Sequence, residues 1–290
     1  MEQSKRQYEV LKWASSFLAD HHREEHVAQI LLQHYLGVSK TAFFAAMRDP
    51  VPEPIQHQFE NAIRVHAETG IPVQHLTGYE WFYGRKFHVN GDVLIPRPET
   101  EELVQHVITQ ARKWEKQNEP LVIADIGTGS GVIACTLALE LPEAIVYATD
   151  ISQAALVVAS QNASDLQAEV TFLQGDFLQP LIQQYLKVDI LVSNPPYIAE
   201  TEKALLSDTV SNYDPALALF SKESGLAAYR DIVKWLPEVI LEKALVAFEI
   251  GSQQAEAVKR LIQHQFPQED VAIIADINGK ERIISATISQ

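Results

Sequence analysis

From Leu121 onward the chain alternates between short apolar, β-branched runs and longer runs of helical period. "LVIADIG", "AIVYATD", "EVTFLQGD" and "VDILVSN" read as strands, and "GVIACTLALEL" and "SQAALVVASQNAS" read as helices. A chain that repeats strand and helix has few ways to bury both faces of its sheet. The favoured one is a mostly parallel, doubly wound α/β sheet. The end of the chain departs from the alternation. "ALVAFEIG" precedes a helix through "QQAEAVKRLIQHQF", and then "VAIIADING" and "ERIISATIS" meet across a short "NGK" turn. This predicts an antiparallel pair at one edge of the sheet.

The N-terminal part has a different pattern. From Tyr8 to about Thr69 apolar residues recur at three and four, as in Val10, Leu11, Ala14, Phe17 and Leu18, which predicts a small helical bundle. Ser39 is the expected N-cap of a third helix, and "DPVPEP" separates it from a fourth running from Ile55 to Glu68. Between the two regions, "YEWFYGRKFHVNGDVLIPRPETEE" carries aromatic and β-branched residues around the turn signals Tyr83-Gly84 and Asn90-Gly91, and reads as a β-hairpin. The expected organisation is a helical domain over 1–76, a hairpin connector over 77–98 and an α/β domain over 99–290. With 290 residues, 47% of them hydrophobic, the chain can bury such cores.

Charge narrows the function. A net charge of −15 opposes any role that depends on broad neutralisation of phosphates. One cysteine, Cys135, excludes an intrachain disulfide framework and suits a reducing compartment. No signal-peptide core and no membrane-length apolar stretch is present, so a soluble, cytoplasmic protein is expected. A monomer is expected by default, since no residue pattern speaks to oligomeric state.

"DIGTGSG", spanning Asp125, Gly127, Thr128, Gly129, Ser130 and Gly131, joins the first strand to its helix. Glycines there let the backbone approach a ligand at a helix N-terminus, although such a turn alone is a weak signal. The spacing departs from the nicotinamide fingerprint, because position 132 is valine where the third glycine belongs. The antiparallel ending is likewise unusual for a nicotinamide-binding domain and usual for the methyltransferase version of the fold. Asp150 ends the second strand, where a carboxylate can accept from two ribose hydroxyls; taken alone it reads equally well as a helix N-cap. Asp176 and Phe177 end the third strand, placed for an adenine amino group and ring, although a lone phenylalanine is more often core. Together these groups at the carboxyl ends of adjacent strands favour S-adenosyl-L-methionine.

The fourth strand delivers "NPPY". Prolines fix their own φ and restrain the preceding residue, so Asn194, Pro195 and Pro196 form a rigid platform. Such a platform suits a planar NH2 group, held through its hydrogens by the Asn194 side-chain oxygen and the Pro195 carbonyl, with Tyr197 against its flat face. Catalysis is then mainly positioning for an in-line displacement. An isolated Pro-Pro turn leaving a strand is the bland alternative; its place after the fourth strand, downstream of the other three elements, favours the functional one.

At this point the sequence resembles the HemK/PrmC family of protein-(glutamine-N5) methyltransferases that modify peptide chain release factors. "PVQHLTGYEWFYGRKFHVNGDVLIPRPETEELV" resembles the family's interdomain signature, "DIGTGSG" its cofactor loop, "SNPPYI" its substrate loop and "FEIGSQQ" its later strand. The resemblance implies a small helical N-terminal domain that docks the release factor, a hairpin, and a seven-stranded Rossmann-like class I methyltransferase domain. It implies S-adenosyl-L-methionine as cofactor, S-adenosyl-L-homocysteine as product, and the glutamine of a Gly-Gly-Gln loop in class I release factors as acceptor. Gly127 to Gly131 would then hold the methionine end, Asp150 the ribose, and Asp176 with Phe177 the adenine, with Asp125 and Asn194 also counted among the cofactor-binding residues. Asn194 to Tyr197 would orient the glutamine, and "IPRPETE", with Arg97 and Glu99, would close the pocket. His75 stands where the family often has tyrosine.

Two rivals compete. Asn-Pro-Pro-Tyr also serves enzymes that methylate adenine or guanine amino groups, but that reading predicts a basic groove, and residues 1–70 are mixed in charge. A non-catalytic cofactor-binding scaffold would be expected to have lost the intact substrate loop. "DHHREEH", with His22 and His26 at i and i+4, has the polarity of a solvated helix end, and no metal is expected.

Overall fold

A computed structural model describes residues 5–114 and 119–289. They fall into two compact units: Met1–Tyr79 with Ser207–Tyr213, and Glu80–Leu206 with Asp214–Gln290.

The first unit contains α1 (Gln7–Asp20), α2 (His26–Leu36), α3 (Lys40–Ala45), α4 (Glu53–Thr69) and α5 (Val73–Thr77). Val10, Ala14 and Leu18 of α1, Leu31 and Leu32 of α2, Phe43, and Phe59 and Ile63 of α4 lie on single helix faces and close on one core. The Ser39 hydroxyl caps α3, accepting from the Ala42 amide at 3.2 Å. Helix α4 starts at Glu53, ahead of the expected Ile55, because Pro54 sits in the first turn, where its missing N–H leaves nothing unpaired. The segment from Ser207 belongs here. Arg23 donates to both carboxylate oxygens of Asp208, at 3.0 and 2.8 Å, and the Tyr213 hydroxyl donates to the Thr69 carbonyl.

The hairpin consists of β1 (Tyr79–Phe82) and β2 (Arg85–His88). Tyr83 and Gly84 both have positive φ, 51° and 73°, the backbone of a type I′ turn whose twist matches the strands. Asn90-Gly91 makes no second hairpin. The Asn90 side chain accepts from the Asp92 amide, forming a local turn that leads into the next helix.

The second unit continues with α6 (Pro98–Ala111), β3 (Val122–Ile126), α7 (Val132–Glu140), β4 (Ile145–Asp150), α8 (Gln153–Leu166), β5 (Val170–Gln174), α9 (Gln179–Gln183) and β6 (Val188–Ser193). Short elements follow: β7 (Ile198–Ala199), α10 (Asp208–Tyr213, in the first unit), α11 (Ala216–Leu219), β8 (Phe220–Ser221) and α12 (Lys222–Gly225). The chain ends through α13 (Ala227–Val239), β9 (Ile240–Glu249), α14 (Ala255–Gln265), β10 (Val271–Ala275) and β11 (Glu281–Ser289).

Seven strands form one sheet in the order β10-β11-β9-β6-β3-β4-β5. Strands β9, β6, β3, β4 and β5 are paired in parallel, and β11 runs against both of its neighbours, giving the expected antiparallel edge. Strand β6, "VDILVS", is buried throughout, as a central strand covered on both faces must be. Its side chains alternate. Ile190 and Val192 join the core under α6 and α7, with Leu103, Val107, Ile133 and Leu137, while Leu191 joins the core under α13 and α14, with Ile232, Leu236, Val258 and Ile262. Each such fully buried aliphatic side chain contributes about 1.5–3 kcal/mol through its burial. The chain leaves β3 toward β4 and β5 on one side and returns to β6 on the other. The carboxyl ends of β3, β4 and β6 therefore meet at a topological switch point, where open α/β sheets bind ligands.

Candidate active site

A cavity of about 440 Å³ opens at that switch point, within the roughly 300–1,000 Å³ usual for small-molecule sites. The glycine loop forms its floor. The Gly127 and Thr128 amides both donate to the Thr149 carbonyl at 2.9 Å, and the Gly129 amide donates to Asp150 Oδ2 at 2.9 Å. Gly131, at φ 81°, starts α7; a Cβ there would lie 3.0 Å from Ala159 Cβ and 3.2 Å from its Cα, so helix α8 can approach only because the position is glycine. Gly127, Thr128, Gly129 and Ser130 line the cavity; Gly131 lies behind it.

Asp125 is not in the cavity wall either. It is fully buried beneath the loop, where Oδ2 accepts from the Thr128 hydroxyl at 2.6 Å and the Ala134 amide at 3.2 Å, while Oδ1 has no hydrogen-bond partner. Burial pushes its carboxyl up to about 7, against the pull of those two donors.

Asp150 does line the cavity. It is not the helix cap: Ser152 caps α8, its hydroxyl accepting from the Ala155 amide. Asp150 Oδ1 accepts from the Ser152 amide at 2.8 Å, so each carboxylate oxygen holds one backbone donor and keeps acceptor capacity for another. Beyond β5, Asp176 and Phe177 line the same cavity. Phe177 sits at φ 42°, a left-handed backbone that costs a non-glycine residue roughly 1–2 kcal/mol, and its carbonyl is held by the Thr149 hydroxyl at 2.9 Å. Burial, and then the neighbouring Asp231, hold the Asp176 carboxyl above its ordinary value.

At the end of β6 the Ser193 hydroxyl donates to the Ile126 carbonyl at 2.6 Å, fixing the strand end against β3. Asn194 and Pro196 line the cavity, whereas Pro195 and Tyr197 do not. Pro195 is buried, and the Tyr197 ring packs against the core, which pushes its hydroxyl pKa up. The Tyr197 carbonyl accepts from Gln254 Nε2 at 2.9 Å and is passed so closely by Gly225 that any Cβ there would collide with it. The arrangement can hold a nucleoside-bearing ligand along β3, β4 and β5 and present a planar polar group to it from β6.

Residues 9–78 match the family model of the PrmC N-terminal domain, and residues 100–212 match that of the methyltransferase small domain. A release factor glutamine methyltransferase of Bacillus cereus is 48% identical over 97% of this chain and 99% of its own length. One from Bacillus subtilis is 47% identical over 97% of each chain, and one from Staphylococcus aureus is 42% identical over 90% of this chain and 92% of its own. The chain belongs to the release factor glutamine methyltransferase family. Among solved structures, the hMettl16 catalytic domain in complex with the MAT2A 3'UTR hairpin 1 covers 84% of this chain and 83% of its own at a TM-score of 0.52. Its sequence identity is 14%, so that likeness is one of fold.

In this family member several site residues escape a reading of the sequence. Thr100 on α6 lines the cavity beside Arg97, whose guanidinium pairs at 2.8 Å with an almost fully buried Asp214 carboxylate. Glu249, at the end of β9, is buried; an acid inside the apolar run "LVAFEIG" was the available signal. Asn162 on α8 donates to the carbonyls of Ser130 and His88 and accepts from the His88 amide, tying the glycine loop to the hairpin. The outer wall runs from Pro215 through Phe220 to Lys222 on elements of two to four residues, too short to show a period, and is completed by Ala227, Ala228 and Asp231 from the first turns of α13.

Proposed function

We propose that this chain transfers a methyl group from S-adenosyl-L-methionine to the side-chain amide nitrogen, N5, of the glutamine in the Gly-Gly-Gln motif of peptide chain release factors. The observation that carries this reading is that Asn194, at the head of a rigid Pro-Pro platform, shares one cavity with Asp150 and the glycine loop. S-adenosyl-L-methionine would supply an electrophilic methyl on a sulfonium and leave as S-adenosyl-L-homocysteine.

The residues present fit that cofactor. Asp150 has acceptor capacity left on both oxygens for a pair of ribose hydroxyls. Asp176 suits the exocyclic amino group of adenine, with Phe177 beside the base, and the loop from Gly127 to Ser130 leaves room for the methionine end. On the acceptor side, the Asn194 carbonyl oxygen receives one hydrogen of the glutamine NH2, and the Pro195 backbone carbonyl, whose residue is not in the cavity wall, is assigned the other. Both acceptors gain strength as positive charge develops on nitrogen, so positioning and electrostatics do the work, no strong base is needed beforehand, and the nitrogen, made acidic by methylation, releases its surplus proton to water after transfer. The helical unit, matched by the family's N-terminal model, is assigned to docking of the release factor.

The test is transfer of labelled methyl to a purified release factor, wild type beside a form lacking the Gly-Gly-Gln glutamine. Label should appear on the wild-type factor only. Asn194→Ala should lower the rate by about 10²–10³-fold, the scale of losing an acceptor aimed at developing charge. Label on RNA or DNA in place of the factor would overturn the assignment in favour of a nucleic-acid amino-group methyltransferase.

A further inference from the structure

Asn194 can serve as an acceptor only if its amide is turned the right way, and the two ends of a carboxamide are nearly equal in shape. What fixes the orientation lies behind it. Asn194 Nδ2 donates to Thr100 Oγ1 at 3.2 Å, and Thr100 Oγ1 donates to Glu249 Oε2 at 2.7 Å. Thr100 and Glu249 are both buried, 3% and 1% exposed. A carboxylate accepts only, so the single Thr100 proton is committed to Glu249. The Thr100 oxygen can then only accept, which forces the NH2 end of Asn194 toward it. The carbonyl oxygen is the end left for the cavity.

We infer that Thr100 and Glu249 are positioning residues for methyl transfer: the buried carboxylate polarises the Thr100 hydroxyl, which orients the Asn194 amide so that its oxygen faces the acceptor glutamine. The inference rests on the function proposed above and adds the device that sets its platform. The pair is well supported in place. The Tyr229 hydroxyl on α13 donates to the Glu249 carbonyl at 2.8 Å, and Arg282 on β11 donates to the adjacent Ile250 carbonyl at 3.2 Å.

The direction of the relay depends on the charge of Glu249. Burial raises its carboxyl to about 7, opposed by the Thr100 hydroxyl, Arg282 and the Asn194 amide and assisted by Glu99 on α6; Tyr197 and Tyr229 are the other titratable groups facing it. Once protonated, Glu249 can donate to Thr100, whose own proton is then free to meet Asn194 Oδ1. The amide turns over and presents NH2, which cannot accept. Transfer therefore rises as pH increases through about 7.

The experiment measures labelled-methyl transfer to a release factor by the full chain as wild type, Thr100→Val, Thr100→Ser and Glu249→Gln, across pH. Thr100→Val is expected to lower kcat by about ten-fold or more, with KM for the cofactor moving by less than about two-fold. Thr100→Ser recovers most of that loss, because it keeps the hydroxyl, and Glu249→Gln flattens the pH dependence near 7. A Thr100→Val enzyme with wild-type kcat, a Thr100→Ser enzyme as impaired as the valine form, or an unchanged pH limb in Glu249→Gln would each overturn the relay. The Asn194 side-chain amide is followed in parallel by NMR hydrogen exchange, which needs no acceptor: protection in wild type that is lost in Thr100→Val supports the relay, and equal exchange in the two refutes it. Absence of transfer by the wild type would count against the proposed function, while the exchange result still judges the relay.

Discussion

Asp125 is the next-to-last residue of strand β3, just ahead of the glycine loop, and it points under that loop rather than into the cavity. With Thr128 and the Ala134 amide on one oxygen and nothing on the other, it is a buried acid that the fold only half satisfies. Its carboxyl stands at about 7 when folded against an ordinary 3.8, so the folded state binds the proton more tightly than the unfolded chain. The stability this group contributes is complete below pH about 4, declines as pH rises toward about 7, and is flat beyond. Asp125→Asn removes that titration. Thermal melts of the two proteins should therefore show the wild type losing ground to the variant between pH 5 and pH 8; parallel curves would refute it. The sequence named Asp125 from its place in "DIGTGSG" but could not tell a ligand's partner from a loop's anchor, because both roles demand an acid at a strand end.

Asn162 shows the same limit for whole elements. Strands β3 to β6 and helices α7 and α8 were legible as apolar runs or as runs of helical period, whereas the five-residue α9 between β5 and β6 is too short to show one and was not legible. The bonds that hold helix α8 to the hairpin and to the glycine loop were not, since they join residues distant along the chain: Asn162 to His88 and Asn162 to Ser130. Asn162→Ala leaves the buried Ser130 carbonyl and the two part-buried His88 backbone groups without their partner and should cost about 1–3 kcal/mol, read from the shift in urea midpoint. A shift near zero would mean that water replaces the amide and that the hairpin is held by its other ties, the buried Phe82 and Phe87 and the bonds from Tyr83 to Glu101 and Arg85 to Glu140. The turns divided in the same way. Tyr83-Gly84 and Asn90-Gly91 look alike in sequence, and only the first has paired strands on both sides.

For the molecule as a whole, the charge of −15 sets the terms on which partners approach. Among the described residues no helix is long and apolar enough to cross a membrane. Non-specific nucleic-acid binders reach dissociation constants of roughly 10⁻⁴–10⁻⁶ M at physiological salt by neutralising phosphates, which this chain is poorly charged to do. Mobility-shift titrations with duplex DNA and structured RNA at about 0.15 M salt should show no retardation up to about 10⁻⁴ M; a steeply salt-dependent shift would reveal a basic surface and revive the nucleic-acid reading. By itself the sequence determined the sheet, its antiparallel edge, the helical N-terminal part and the segments that reach the site, because periodicity and turn chemistry are local properties. The tertiary structure alone decided which members of those segments face the cavity. Asp150 and Asn194 line it while Asp125 and Tyr197 turn away, Thr100 and the wall from Pro215 to Asp231 join from elsewhere in the chain, and Glu249 stands behind Thr100. Orientation at a strand end depends on what packs behind it, and no local pattern encodes a neighbour that the chain reaches only by folding.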